Sequence, residues 1–165
     1  ILGCLFTVFV LWAWRWPLVH QWFAKRPDLS GTWKGVVVSK WTDPRTDKEL
    51  PPIEAYLVVR QTFLSLHIDL LTKDSNSELL ATTMLRDSVG LWEVVGLYRA
   101  TPRSLVRDGS PIHFGGMVLE LEGFNPSALR GEYWTTRETK GELHFTNRTK
   151  RLLFSFDAAS KAVYV

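Results

Sequence analysis

The chain has 165 residues, 20 Lys plus Arg against 17 Asp plus Glu, and one cysteine. That length suits one domain of ordinary size with a short appendage, and the mild positive excess is too small to mark a binder of duplex nucleic acid. A lone Cys4 excludes an intramolecular disulfide, which points to reducing cytosol for the water-facing part.

Residues 1–24 are almost wholly apolar, and Arg15 is their only charge. A helix of that length, at ~1.5 Å per residue, would cross a hydrocarbon layer of ~30 Å. Trp12, Trp14, Trp16 and Trp22 crowd its second half, where an interfacial aromatic belt would lie, and Lys25 and Arg26 supply the positive flank of a cytoplasmic boundary. A signal peptide would instead carry basic residues before the apolar run and a small-residue cleavage site after it. A buried core helix is the other alternative, but tryptophans beside a basic pair suit an interface better than a packed interior. The expectation is therefore a transmembrane segment over 1–24, kinked or ended at Pro17, then a junction over 25–30. Because the chain opens on Ile1 and not Met, an N-terminal piece is expected to precede it.

From Gly31 the hydrophobic period changes to two. Strands are predicted near Gly31–Trp41, Ile53–Gln61, Phe63–Thr72, Ser77–Asp87, Leu91–Ala100, Ile112–Glu122, Leu129–Thr135 and Thr139–Thr146, with a further candidate at Arg151–Phe156. Turn signals separate them, among them Asp43-Pro44, Lys73-Asp74-Ser75-Asn76, Ser88-Val89-Gly90 and Asn125-Pro126-Ser127. Evenly spaced short strands without a convincing helix predict an all-β, up-and-down barrel of about eight antiparallel strands over 31–165.

Strand phase then assigns an inside. Leu64, Leu66, Ile68 and Leu70 share one face, opposite Ser65, His67 and Asp69. Matching sets are Trp33, Gly35, Val37 and Ser39; Ala55, Leu57, Val59 and Gln61; and Trp92, Val94, Gly96 and Tyr98. His113, Gly115, Met117, Leu119 and Leu121 follow, then Leu129, Gly131, Tyr133 and Thr135, and finally Gly141, Leu143 and Phe145. In a meander each hairpin reverses direction, so strand ends can be assigned to a mouth. The end farther from the apolar segment receives Ser39, Thr72, Ser75, Ser77, Tyr98, His113, Thr135, Arg137 and Thr139, with Lys73, Arg103 and Arg107 in neighbouring loops.

A ring of hydroxyls with one guanidinium, one imidazole and one phenol suits a small ligand carrying phosphate and a flat base. Arginine offers a planar fork to phosphate oxygens, Ser and Thr donate or accept, and Tyr98 can stack. A plain solvated barrel end is the competing reading, since polar residues collect at rims without binding anything. No Gly-rich phosphate loop, zinc-ligand cluster or nucleophile elbow is present, and His20, His67, His113 and His144 lack metal-ligand spacing. Glu120 and Glu122 share a strand face and read as solvated exterior, so no catalytic constellation, cofactor or metal is expected.

Gly31-Thr32-Trp33 resembles the Gly-X-Trp signature of lipocalins, with Gly31 permitting close approach at the barrel base and Trp33 plugging it. That likeness suggests a membrane-tethered carrier of an apolar ligand, held by Leu66, Ile68, Met117 and Leu119. A filled, ligand-free structural module is a third possibility.

A more particular resemblance rests on Leu29-Ser30-Gly31-Thr32-Trp33-Lys34-Gly35, Arg60-Gln61-Thr62, the Thr72, Ser75 and Ser77 pattern, Tyr98 and Pro102, and Pro111-Ile112-His113. Gly131-Glu132-Tyr133-Trp134-Thr135 with Arg137, Thr139 and Gly141 completes it, so that it spans Leu29 to about Phe145. These resemble the membrane-anchored β-barrel effectors of bacterial CBASS antiphage systems, which have two transmembrane segments where this chain shows one. The resemblance implies a non-enzymatic effector at the inner membrane, with its barrel in the cytoplasm. Its ligand would be a cyclic dinucleotide made by a partner nucleotidyltransferase. Binding would promote homo-oligomerisation, disruption of the lipid bilayer and death of the infected cell. The implied ligand site is the mouth: Thr72, Ser75, Ser77, Tyr98, His113, Thr135, Arg137 and Thr139.

Overall fold

A computed structural model of the protein describes residues 2–20, 22, 25–43 and 47–164. Phe23 and Ala24, at the end of the apolar run, and Pro44 of the expected Asp43-Pro44 turn lie outside the described residues.

The alternating segments form strands β1 (Gly31–Ser39), β2 (Thr42–Asp43), β3 (Lys48–Glu49), β4 (Ile53–Gln61), β5 (Leu66–Thr72), β6 (Ser75–Arg86), β7 (Trp92–Pro102), β8 (His113–Leu121), β9 (Leu129–Thr135) and β10 (Lys140–Thr149). Eight of them close into an antiparallel barrel in the order β1-β10-β9-β8-β7-β6-β5-β4, and β2 and β3 pair as a separate two-stranded ribbon. Closure by β1 against β10 removes the free edges that an open sheet would expose. A register shift between Leu79 and Ala81 turns Leu80 outward, where it is exposed, and leaves Leu79 in the core.

The interior holds Trp33, Val37, Ala55, Leu57, Val59, Leu66, Ile68, Val94, Tyr98, Met117, Leu119, Leu121, Leu129, Leu143 and Phe145. The phase read from period two therefore places the core correctly on every strand for which it was assigned. Leu64 is the exception: it is 64% exposed. The β4–β5 turn is organised by Thr62, whose hydroxyl accepts from the Leu64 and Ser65 amides at 3.2 and 2.9 Å, so β5 begins only at Leu66 and alternation does not apply before it.

The expected strand over Arg151–Phe156 is absent. Both edges of β1 are already taken, by β10 and β4, which leaves no ladder for another strand to join. The segment instead runs over the outer wall. The Thr32 hydroxyl donates to the Arg151 carbonyl at 2.8 Å and accepts from the Leu153 amide at 3.1 Å. Leu153 buries against Tyr56, Val58 and Leu71, and a short helix, α3 (Phe156–Ser160), is capped by Ser155, which accepts from the Ala158 amide. The two helical segments before the barrel are α1 (Leu2–Leu11) and α2 (Pro17–Val19).

The apolar segment is not one spanning helix. α1 stops at Leu11, a 3-10 turn follows at Ala13–Arg15, and α2 has only three residues, so among the described residues no helix is long and apolar enough to cross a membrane. The reason is tertiary. Trp14, expected in an aromatic belt, is completely buried against the protein, while Arg15 reaches Asp28 at 3.4 Å and the Ser30 hydroxyl at 2.8 Å. A charge in an apolar run is stabilised far better by a carboxylate than by hydrocarbon, so the chain bends to bring it there. The Val10 carbonyl accepts from the Phe63 amide at 2.9 Å, and Phe9 meets the Phe63 ring edge-on at 5.0 Å.

The base is closed by a network centred on Asp28. Arg148 on β10 lies 3.6 Å from its carboxylate and Lys150 lies 3.5 Å away. Arg148 also donates to the Asp28 and Ser30 carbonyls at 2.9 Å each, and its guanidinium sits 5.0 Å over the Trp33 ring. Trp33 Nε1 donates to the Leu29 carbonyl at 2.9 Å, and the buried Gln61 amide bridges Pro27 and Leu29 at 2.8 Å each. Gly31 has φ +127°, and a side chain there would collide with the Thr149 carbonyl, so the junction enters β1 only through glycine.

Burial alone would raise the Asp28 carboxyl pKa. The Ser30 hydrogen bonds and the charges of Arg148 and Lys150 outweigh it and hold the group below its ordinary value. A depressed carboxylate contributes stability above its unfolded pKa and loses it as pH falls through the folded value. Asp28→Asn should therefore destabilise the protein by about 3 kcal/mol at neutral pH, because three cations lose their partner. Denaturant melts should show that deficit shrinking below about pH 4.

Candidate functional site

At the end of the barrel opposite Asp28 the interior is hollow. A cavity of about 360 Å³ opens at the rim, within the range of small-molecule sites. Thr72, Ser75, Ser77, Tyr98, His113, Thr135, Arg137 and Thr139 all line it, so the residues picked out by strand phase converge on one space. Its floor is apolar, made by Val37, Leu70, Ala100, Met117 and Leu143. Of the four residues expected to hold an apolar ligand, only Met117 lines this cavity, whereas Leu66, Ile68 and Leu119 are packed in the core below it. The interior is thus filled at the base and open at the mouth.

Register explains the convergence. Leu70 pairs with Ser77, Ser77 with Ala100, and Ala100 with His113, which sets one polar and apolar layer across four neighbouring strands. Gly115 pairs with both Tyr98 and Thr135. A Cβ on Gly115 would run into the Tyr98 ring, so this glycine is what lets the phenol lie along the wall. Burial pushes the Tyr98 phenol pKa up, with Tyr133 adding and Arg137 opposing, so it is a protonated donor at neutral pH, and it reaches the Trp134 carbonyl at 3.3 Å.

The hydroxyls divide into those already used and those available. Thr72 donates to the Ser75 carbonyl and accepts from the Ser75 amide, both at 3.0 Å, and so holds the β5–β6 turn. The Thr135 hydroxyl lies 2.7 Å from that of Thr139 and accepts from the Arg137 and Thr139 amides at 3.1 and 3.3 Å, which organises the β9–β10 turn. The Ser75 hydroxyl, by contrast, has no partner among the described residues. His113 Nδ1 donates to the Pro111 carbonyl at 2.9 Å, which leaves Nε2 as the free ring nitrogen.

Arg137 is the one charged side chain among the described residues lining the cavity, and no carboxylate lines it. Its Nη1 donates to the Ser110 hydroxyl at 2.8 Å, which steers the guanidinium across the mouth. Lys73, Arg103 and Arg107, expected nearby, do not line the cavity, and Arg107 is turned to the Pro102 carbonyl at 3.0 and 3.3 Å. Among the described residues the arrangement offers an anion one cation with no competing carboxylate, together with several hydroxyls and an aromatic wall. Among the described residues no cluster of His, Cys, Asp or Glu is placed to hold a metal ion.

Sequence reasoning missed Trp41, Leu50 and Ile53, which border the mouth from the β2–β3 ribbon and its flanks, and Ser110 in the β7–β8 loop. The available signal was an isolated tryptophan just past β1 in a segment with no period of its own. Tyr133, placed inward by phase, also lines the cavity and was not taken as a site residue.

A family model described as Cap15, cyclic dinucleotide receptor domain, matches residues 24–147. The match takes in most of the barrel and every residue that lines the cavity. No curated protein matches the chain. With well over half of its length covered by that model, the chain belongs to the family of Cap15 cyclic dinucleotide receptor domains.

Proposed function

We propose that the protein is a CBASS effector whose barrel mouth binds a cyclic dinucleotide supplied by a partner nucleotidyltransferase. The observation that carries this is the convergence of one carboxylate-free arginine, a hydroxyl set and aromatic rings on a single cavity inside the matched domain. Arg137 pairs with one phosphate, with His113 Nε2 and the Ser75 and Ser77 hydroxyls serving the other phosphate or the sugar edges. Trp41, Tyr98 and Tyr133 provide faces for the bases. The reading is of a receptor and not a catalyst, because binding and orientation are what these groups supply.

The output belongs to the opposite end. α1 buries none of its residues and exposes Leu2, Leu5, Phe6, Val8 and Leu11, with Trp12 following. An apolar helix that meets the barrel at Phe9 and Val10 and leaves these other residues exposed suits lipid or a second copy of the chain. In this reading the protein sits at the bacterial inner membrane with its barrel in the cytoplasm. Ligand binding favours a homo-oligomer whose apolar segments disrupt the bilayer, causing death of the infected cell. Such a shift requires the ligand to bind the assembled state more tightly than the resting one, since equal affinity for both changes nothing.

Calorimetry of the protein with a panel of cyclic dinucleotides and trinucleotides is expected to give saturable heat with at least one dinucleotide. No heat and no thermal shift with any of them would overturn the proposal. Arg137→Ala should weaken binding by at least ~1.5 kcal/mol through lost charge-assisted hydrogen bonds, with unchanged unfolding. Trp41→Ala should cost ~1–3 kcal/mol of binding if the indole stacks on a base, and nothing if it only borders the mouth. For the membrane step, dye leakage from liposomes should depend on the ligand, and leakage indifferent to it would reject that step alone.

A further inference from the structure

A second cleft lies at the base, far from the mouth. β6 pairs with β5 only through Asn76, Ser77 and Glu78, and from Leu79 to Arg86 its ladder runs to β7 alone. The barrel wall therefore parts between the β4–β5 turn and the second half of β6. The opening has a volume of about 370 Å³ and is lined by Arg26, Phe63, Leu66, Met84 and Trp92, among others.

Two features of this cleft ask for an anion. Arg26 is partly buried, and Nη1 donates to the Phe63 carbonyl at 2.6 Å, yet its Nε is shielded from solvent without a partner and no carboxylate pairs with it among the described residues. Burial lowers its pKa with no opposing charge to offset the effect. The indole Nε1 of Trp92 is likewise shielded and unpartnered. A desolvated guanidinium without a counter-ion is unfavourable, as is an orphaned indole N–H, and one bound oxyanion would satisfy both. The unpaired edge of β6 holds further backbone donors.

Position selects the anion. Phe63 meets α1 through the Val10 carbonyl and the Phe9 ring, so the cleft adjoins the largely exposed apolar helix. Its walls combine apolar side chains with two threonines and one fork-shaped cation, which suits an amphiphile with a phosphate head. We propose that this cleft binds the phosphate of an anionic phospholipid, with Arg26 as its charged partner and Trp92 Nε1 as a second donor. The proposal rests on the reading of α1 as lipid-facing. It would fix the height and tilt of the barrel on the bilayer, a role that general attraction of Lys25 and Arg26 to a negative surface does not fill.

The test uses the whole chain with phosphatidylcholine vesicles, with and without one-fifth phosphatidylglycerol. Wild type should prefer the anionic vesicles about tenfold or more. Arg26→Lys keeps the charge but not the fork, and Trp92→Phe changes no charge, so surface attraction alone would leave both at the wild-type value. Each should instead lose about fivefold of that preference, with thermal unfolding confirming that the variants remain folded. Equal binding of wild type to both vesicles, or wild-type behaviour of both variants, overturns the cleft assignment. Competition by inorganic phosphate at low millimolar concentration overturns the lipid as the source. Failure of wild type to bind either vesicle overturns the lipid-facing reading of α1. Titration with monomeric lysophosphatidylglycerol, followed by tryptophan emission, then judges the cleft separately: a saturable change lost in Arg26→Lys supports it, and no change overturns it.

Discussion

One carboxylate, that of Asp28, ties together three parts of the chain that are distant in sequence. Arg15 arrives from the apolar segment and Arg148 and Lys150 from the end of β10, while Asp28 sits in the junction that leads into β1. β1 and β10 are also the strands that close the barrel. The same few atoms therefore hold the seam of the barrel, seat Trp33 as its plug and attach the N-terminal segment to the base. Such a cluster tolerates burial because Arg15 and Arg148 are also hydrogen-bonded to backbone or hydroxyl oxygen, which offsets the desolvation that would make isolated charges costly, while Lys150 stays largely in solvent.

Anchoring at one end permits vacancy at the other. Below the middle of the barrel, large side chains such as Trp33, Leu57, Leu129 and Phe145 fill the interior without exposure. Above it, serines and threonines take their place, and the volume they leave is the cavity. Apolar area removed from water at ~25 cal/mol per Å² favours a full core, so a hollow upper half is a cost that the packed lower half must offset. A barrel built this way has its stability at one end and its adaptable chemistry at the other, and the two ends are joined by rigid ladders, not by loops.

Much of this was legible in the sequence because β-strands alternate strictly. Once Leu66, Ile68 and Leu70 set the inward phase, the faces of the other strands followed, and the eight mouth residues came with them. The failures occurred where alternation has no authority. Leu64 continues the pattern but sits in a turn set by the Thr62 hydroxyl. Arg151–Phe156 has strand-like composition, but a closed barrel offers it no partner. Trp41 and Leu50 flank a ribbon of two-residue strands, too short to show any period. The N-terminal segment was judged on hydropathy, which reports what a stretch can dissolve in. Hydropathy is silent about an aspartate thirteen residues later that draws Arg15, and Trp14 with it, back onto the barrel.

Thr72 and Thr135 spend their hydroxyls on the turns that carry their neighbours, whereas the Ser75 hydroxyl has no partner among the described residues. The mouth is thus a frame with fixed corners and a few vacant valences between them. A frame of that kind discriminates by fit, because a molecule of the wrong outline cannot recruit the corner groups without breaking the hairpins they hold. If the proposed function holds, drift in sequence at the vacant positions would retune which messenger is heard while leaving the architecture intact, and drift at the corners would silence the receiver altogether.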